Sequence, residues 1–508
     1  MRFLPRCAHG DISAFALTEP GVGSDPARIE TTATPTPDGR SFVIDGTKLW
    51  CTNGTLAQLL VVVARTPDTG RISAFVVDTK SAGVTVTHRC RFMGLKALAN
   101  AEFRFHGVVV PRENLIGEEG QGLKIALVTL DSGRIALPAA VTGAAKLALE
   151  VSRKWSNARE QWGGPIGRHE AIAHKLADMA ATTFTMEAVA DLTAAMADRE
   201  GYDIRLEAAA AKEWNTVRGW QITDDALEIR GGRGYESERS LAARGEFPVG
   251  IERMMRDCRV NRIFEGSSEI MHLFMAREAV DRHLRVAGIL VDPQKSSRAK
   301  LAALPSIFAF YVTWLASMLV GWVHWGRYRE FGDLAPHMRF VERSSRKLAR
   351  SIFYGMVVYG ARLERRQAFL FRAVDVAIEL FAMTAVVCRA QQGLDAARGA
   401  LPVEAWRLAD LACRNGRRIV AARLAALWRN DDLAHTDAGA HVLEGRAAWL
   451  ELGGTGLGAT VDELRPSTRD DHFTQRKSAR HLRARPGAAA PTSHPSSSMD
   501  SRHSSRAS

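Results

Sequence analysis

The hydrophobic period of this chain changes once, near residue 120, and that change limits what it can fold into. Between residues 11 and 115 the apolar runs are short and bounded by turn signals. SFVIDG (41–46) alternates and ends at Asp-Gly. LLVVVAR (59–65) is near-continuous and valine-rich, and SAFVVD (73–78) and VTVTH (84–88) follow. FRFHGVVVP (103–111) puts Phe103 and Phe105 on one face and Arg104 on the other. PDGR (37–40) and PDTG (67–70) supply turn chemistry between them. Strands this close, with no helices between, predict an antiparallel β-barrel or sandwich over residues 1–117.

Beyond Gly120 the period becomes helical. Ile172, Leu176, Met179, Met186, Val189, Thr193 and Met196 recur in steps of three, four or seven, one stripe of a long helix. Pro165 and Gly167 mark its approach, and Gly201 follows its end. RIALPAAVTGAAKLALEVSRKW (134–155) predicts an earlier helix with Pro138 in its first turn. Residues 205–229 predict a third. Residues 264–284 predict a fourth, N-capped by Ser267 or Ser268. Together these make a four-helix bundle over 118–285. Residues 286–300 read as a linker and 301–465 as an additional C-terminal helical domain. The Arg/Ser/Pro/Ala-rich residues 466–508 read as a disordered basic tail. The expected fold class is therefore α+β and multidomain.

The chain has 508 residues, 46% of them hydrophobic, enough for several buried cores. Six scattered cysteines form no CxxC pair. That argues against a disulfide framework or a metal site and fits a reducing cytoplasm. The N-terminal apolar run is too short for a signal peptide. Net charge is +12, which permits contact with anionic membranes, nucleic acid or CoA phosphates. Solvated helix faces plus a basic tail are the simpler reading. Leu301–Trp325 contains no Lys, Arg, Asp or Glu, but Pro305, Ser306, Thr313, Ser317 and His324 interrupt it. It reads as a buried or membrane-facing helix pair, with a bilayer span as the alternative. The expected localisation is cytoplasmic, with peripheral contact at the inner face of the membrane.

Chemistry concentrates in RDCRVNRIFEGSSEIM (256–271). Glu265 stands between Phe264 and a Gly-Ser-Ser turn. A carboxylate against apolar neighbours has its pKa raised by burial and becomes a usable base. The plain alternative is a first-turn carboxylate favoured by the helix dipole. GGRG (231–234) is not a Rossmann fingerprint, because a helix precedes it. A single copy inside a helical region also argues against an RNA-binding segment, and no nucleic-acid partner is expected.

In order, ALTEPGVGSD (16–25), GTKLWCTNG (46–54), AREQWGGPIGRHEAIAHKLADM (158–179), RGGRGY (230–235) and the Glu265 motif resemble the acyl-CoA dehydrogenase family over residues 11–284. The C-terminal helices and the RIFEG wording are similar to its long-chain and very-long-chain branch. The resemblance implies FAD-dependent α,β-dehydrogenation of an acyl-CoA thioester to the trans-2-enoyl-CoA, within fatty acid β-oxidation. It makes Glu265 the base, with its backbone N–H polarising the thioester carbonyl. Some members carry the base on another helix, at the position of Gly133 in LDSGRIA (130–136), and a glycine cannot abstract a proton. It implies cofactor contacts at Phe15, Leu17, Thr18, Gly23, Ser24, Trp50, Thr52, Ser267 and Glu269. Arg159, Gln161, Glu228, Gly231 and Gly232 would meet the nucleotide, Arg159 and Gln161 across a dimer interface. Substrate contacts fall to Ser24, Asp131, Arg134 and Gly266, with Asp131 and Arg134 toward the CoA end. An electron-transfer flavoprotein is the implied acceptor, and a homodimer or dimer of dimers the implied assembly. Two departures stand out. The family has a helical domain ahead of the TEP motif, whereas Leu17 follows Met1 by sixteen residues, so the chain is expected to lack it. Glu228 stands where a glutamine is usual, and Arg230 or Arg233 would have to pair with it. An acyl-CoA oxidase and a non-catalytic scaffold of the same fold are the rival readings.

Overall fold

The computed structural model describes residues 2–292, 294–320, 327–392, 402–451, 456, 458 and 460–465. The expected tail, 466–508, lies outside the described residues, as do positions 321–325 of the charge-free segment.

After a short helix α1 (Leu4–Ala8), eight strands form one sheet: β1 (Ser13–Ala16), β2 (Thr32–Pro35), β3 (Ser41–Cys51), β4 (Leu59–Arg65), β5 (Ile72–Asp78), β6 (Val84–Arg89), β7 (Ala101–Pro111) and β8 (Leu115–Ile116). The sheet order is β6-β7-β3-β2-β4-β5-β8. Alternation on β3 and β7 drives Phe42, Ile44, Phe103 and Phe105 into the core between the strands. The near-continuous run of β4 is explained by cover on both faces. Leu60 and Val62 enter that core, while Val63 joins a second cluster with Ala126 of the first long helix. The sheet departs from a purely antiparallel expectation. β1 pairs with β4 in parallel, Ser13 opposite Leu59 through Ala16 opposite Val62. The chain between them is long enough for the crossover that parallel pairing requires.

The helices follow. α2 (Gly122–Ala158) is 37 residues long. It starts twelve residues before the predicted helix, so Pro138 lies in its interior rather than in its first turn. Proline there removes a backbone bond at a cost of about 3 kcal/mol. Packing along the whole helix offsets that cost. At its start Gly122 allows an approach to β5 so close that a Cβ would sit 2.3 Å from the Ser73 carbonyl carbon. A two-residue hairpin, β9 (Glu160–Gln161) with β10 (Gly164–Pro165), leads to α3 (Glu170–Ala197) and α4 (Arg205–Arg230). Met179, Met186, Val189 and Thr193 of the predicted α3 stripe are buried. Buried Asn215 on α4 donates to Pro138 O at 3.3 Å and to Met186 O at 2.9 Å, tying the three helices together. Arg230, at the other end of α4, lies 4.9 Å from the Trp155 ring. α2 and α4 therefore run in the same direction, with α3 antiparallel to both.

α5 (Gly232–Tyr235), α6 (Glu238–Ala243) and α7 (Ile251–Arg259) lead to α8 (Ser268–Val291). α8 begins four residues later than predicted, leaving Glu265 outside the helix. It also continues to Val291, and α9 (Ser297–Val320) starts at Ser297, so the connector is shorter than the expected 286–300. α10 (Ala335–Tyr359), α11 (Gln367–Gln392), α12 (Glu404–Ala426) and α13 (Asp432–Leu443) complete the helices. One apolar core runs from Val141 to Leu427, so the bundle and α10–α12 share an interior. α9 differs, with only 6% of its most apolar stretch buried. α2 also passes the length and hydropathy test for a membrane span, but it packs as a core helix. Farther on, Thr460 meets Glu463 through both its backbone N–H and its hydroxyl.

Candidate functional site

The loop between α7 and α8 is the chemical centre. Glu265 adopts φ 55°, a left-handed conformation for a non-glycine residue, and Gly266 follows at φ 95°. A side chain in that region costs about 1–2 kcal/mol, which surrounding contacts must hold in place. Three residues do so. Arg134 donates from Nε to the Glu265 carbonyl at 3.1 Å and from Nη1 to Asp131 Oδ1 at 2.8 Å. Lys212 donates from Nζ to the Gly266 carbonyl at 2.6 Å. Asp131 and Arg134 come from α2 and Lys212 from α4, and all three are buried.

The Glu265 carboxyl sits over Gly133. A Cβ at that glycine would lie 3.1 Å from Glu265 Cδ. Oε2 of Glu265 is buried and has no hydrogen-bond partner among the described residues. Burial pushes this carboxyl above the usual glutamate range, against the pull of the Arg134 and Lys212 charges. Burial likewise lowers the Lys212 ammonium to about 8. Asp131 is raised as well, because burial outweighs the attraction of Arg134. A partly desolvated carboxylate with an unengaged oxygen is equipped to take a proton from carbon. It is not a first-turn capping carboxylate, since α8 starts at Ser268.

The other expected residues fall into two groups. Phe15 ends up half-buried on β1, with Leu17 and Thr18 just beyond, and the Thr18 carbonyl accepts from Leu49 N–H at 2.8 Å. The buried pair Lys48–Glu19, 2.8 Å apart, anchors this loop, and Lys48 also donates to the Leu17 carbonyl at 3.0 Å. Burial alone would raise the Glu19 carboxyl, but Lys48 and the donors at Thr31 and Glu30 hold it below its ordinary range. Gly23 and Ser24 are exposed. Trp50 is 57% exposed and left-handed at φ 55°. Asn100 Nδ2 donates to the Trp50 carbonyl at 3.2 Å and to Thr52 Oγ1 at 3.4 Å, fixing the β3 end. Ser267 occupies the α8 N-cap position and Glu269 its first turn, beside Glu265.

The second group lies at the opposite end of the bundle. Arg159 caps the C-terminus of α2 and Gln161 stands on the β9 hairpin, roughly 37 Å of helix from Arg134. Glu228, Gly231 and Gly232 cluster at the C-terminus of α4, and a Cβ on either glycine would meet nothing within 4 Å. Glu228 is paired, but with Lys175 of α3 rather than with Arg230 or Arg233. Arg233 is engaged by Glu246 at 2.7 Å, and Arg230 stacks on Trp155. Asp131 and Arg134, expected toward the CoA end, brace the Glu265 loop. The sequence reading missed Lys212 altogether. In AAAAKEW it has the signature of a solvent-facing helix lysine.

A loop contact joins the β-sheet to this centre. Leu95 N–H donates to Asp257 Oδ1 at 2.6 Å, and Arg256 Nη1 donates to the Met93 carbonyl at 2.7 Å. Gly94 is required between them, since a Cβ would come 2.2 Å from the Arg256 carbonyl oxygen.

Residues 14–108 match the family described as acyl-CoA dehydrogenase, middle domain, and residues 120–280 match acyl-CoA dehydrogenase, C-terminal domain. A protein of Mycobacterium tuberculosis named probable acyl-CoA dehydrogenase FadE10 is 52% identical over 481 residues, covering 92% of this chain and 73% of its own length. The human mitochondrial very long-chain specific acyl-CoA dehydrogenase is 32% identical over 416 residues, covering 77% of this chain and 60% of its own length. Among solved structures, a Bacillus anthracis acyl-CoA dehydrogenase complexed with FAD superposes with a TM-score of 0.69 at 26% identity, over 86% of this chain and 73% of that one.

Proposed function

The chain belongs to the acyl-CoA dehydrogenase family, and on that premise we propose that it desaturates a long-chain acyl-CoA between Cα and Cβ, with Glu265 as the base. The observation that carries this reading is the Glu265 carboxyl itself. It is half-buried, raised above its usual range, and holds one oxygen without a partner among the described residues. That oxygen takes the α-proton. The Glu265 backbone N–H is assigned to the thioester carbonyl, where negative charge develops. Gly133, with no side chain, leaves the room on α2 that the carboxyl occupies.

The surfaces fit FAD. Exposed Trp50 offers a flat face, and Gly23, Gly231 and Gly232 leave room for close backbone approach. Phe15, Leu17, Thr18, Gly23, Ser24, Trp50 and Thr52 would hold the ring system, and Ser267 and Glu269 the nucleotide. Arg159, Gln161, Glu228, Gly231 and Gly232 would complete the site from a second copy, in a homodimer or dimer of dimers. Lys175 pairs with Glu228 there, shared with Asp225. When bound, FAD supplies the hydride acceptor, and an electron-transfer flavoprotein is the proposed partner that reoxidises it. The exposed apolar residues of α9, with Phe308 71% exposed, are proposed as a peripheral contact to an anionic membrane surface.

Glu265→Gln tests the base. The variant retains FAD and loses kcat by roughly a thousandfold. Full activity in Glu265→Gln would overturn the assignment.

A further inference from the structure

Two consecutive carbonyls of the catalytic loop are each held by a cation rooted on a different helix. Arg134 of α2 takes the Glu265 carbonyl, and Lys212 of α4 takes the Gly266 carbonyl at 2.6 Å. Both loop residues are left-handed, at φ 55° and 95°. Two consecutive peptide units, each pinned through its carbonyl in that region, cannot rotate without breaking a charge-assisted hydrogen bond. The Glu265 side chain therefore leaves the loop in a fixed direction, toward Gly133.

Lys212 has no solvent-exposed surface. Its neighbours on α4 are Ala211 and Glu213, and methionine would fill the same space without burying a charge. What the ammonium adds is a donor to the loop and a positive charge near the Glu265 carboxylate. The charged groups acting on the pair are Arg134 of α2, itself paired with Asp131, Glu213 of α4, and Arg262 just before the loop. Arg134 is engaged by Asp131, and Lys212 lies beside the Glu213 carboxylate, so each cation is partly compensated.

We propose that Lys212 is a positioning residue for Glu265, fixing the Gly266–Ser267 peptide beside it and supplying one of the two positive charges that face the carboxylate. This rests on the reading of Glu265 as the base.

The test uses the full FAD-loaded chain with Lys212→Met, Lys212→Arg and Glu265→Gln. The first readout is the acid limb of kcat/KM against pH. The second needs no turnover: the infrared carboxyl band of Glu265, identified by its loss in Glu265→Gln, is titrated without substrate. Lys212→Met moves both the acid limb and the carboxyl titration upward by about one pH unit, and Lys212→Arg returns both toward the wild-type position. If Lys212→Met does not fold, Lys212→Gln, which keeps a donor but no charge, carries the same expectation. An acid limb and a carboxyl titration that stay in place in the charge-free variant overturn the proposal, whatever happens to kcat. An inactive Glu265→Gln beside an unmoved charge-free variant sinks only the role of Lys212. An active Glu265→Gln sinks the base assignment instead.

Discussion

Gly133 and the Glu265 carboxyl compete for one small space. Adding a Cβ at Gly133 would bring it 3.1 Å from Cδ and 3.2 Å from Oε2, so the carboxyl has to give by a few tenths of an ångström. Alanine also gains about 1 kcal/mol of helix propensity over glycine. Gly133→Ala therefore leaves the melting temperature unchanged or higher, while kcat/KM falls by about tenfold because the base is displaced. Melting curves and steady-state kinetics on the same preparation check this opposition. The pH dependence has a definite sign. The base must be ionised and its pKa is raised by burial, so kcat/KM is lost as pH falls through a value above the usual glutamate range. At this scale the sequence exposed Glu265 and Gly133, because both lie in short motifs with local chemistry. It hid Lys212, whose contact with Gly266 spans 54 positions. It also misassigned the partner of Glu228, since the nearby Arg230 and Arg233 were visible in the motif and Lys175 on α3 was not.

Elements were legible where one face is buried and obscure where tertiary packing overrides a local rule. The alternation of β3 and β7 and the stripe of α3 are directly readable in the sequence. Pro138 reads locally as a helix start because proline is tolerated there, yet α2 carries it through its interior. The parallel pairing of β1 with β4 leaves no local signal at all. α11 carries a further consequence of packing. Its Glu379 is 6% exposed and accepts from Trp214 Nε1 at 2.9 Å and Arg218 Nη2 at 3.2 Å, both on α4. Removing the carboxylate leaves the indole donor and the guanidinium without it in the shared core. Glu379→Ala is expected to destabilise the protein by about 3 kcal/mol, read as a lowered melting temperature. An unchanged melting temperature would mean that the buried Glu379 carboxylate adds nothing net to the packing of α11 on α4.

On the scale of the whole molecule, the decisive fact is that α2 and α4 are parallel. Their N-terminal halves carry Asp131, Arg134 and Lys212 around Glu265. Their C-terminal ends carry Arg159, Gln161, Glu228, Gly231 and Gly232, roughly 37 Å of helix away along α2. One chain cannot bring both ends to the same part of a cofactor, so the proposed site needs a second copy. Complementation follows from this geometry. Glu265→Gln and Arg159→Glu each form inactive homodimers, whereas co-expressed chains recover activity through mixed dimers that retain one intact site. Failure to recover any activity, with mixed dimers present by mass, would place both residues in the same chain's site. The family resemblance in the motifs implies the same sharing across a dimer, and the parallel helices are the physical reason to propose it.

The most direct measurement is the visible absorbance of the FAD-loaded chain under anaerobic conditions, before and after addition of a long-chain acyl-CoA. The account predicts that the flavin band bleaches in the wild type and persists in Glu265→Gln with FAD still bound. A wild-type band that persists while acyl-CoA binds, or a Glu265→Gln band that bleaches at the wild-type rate, would contradict it.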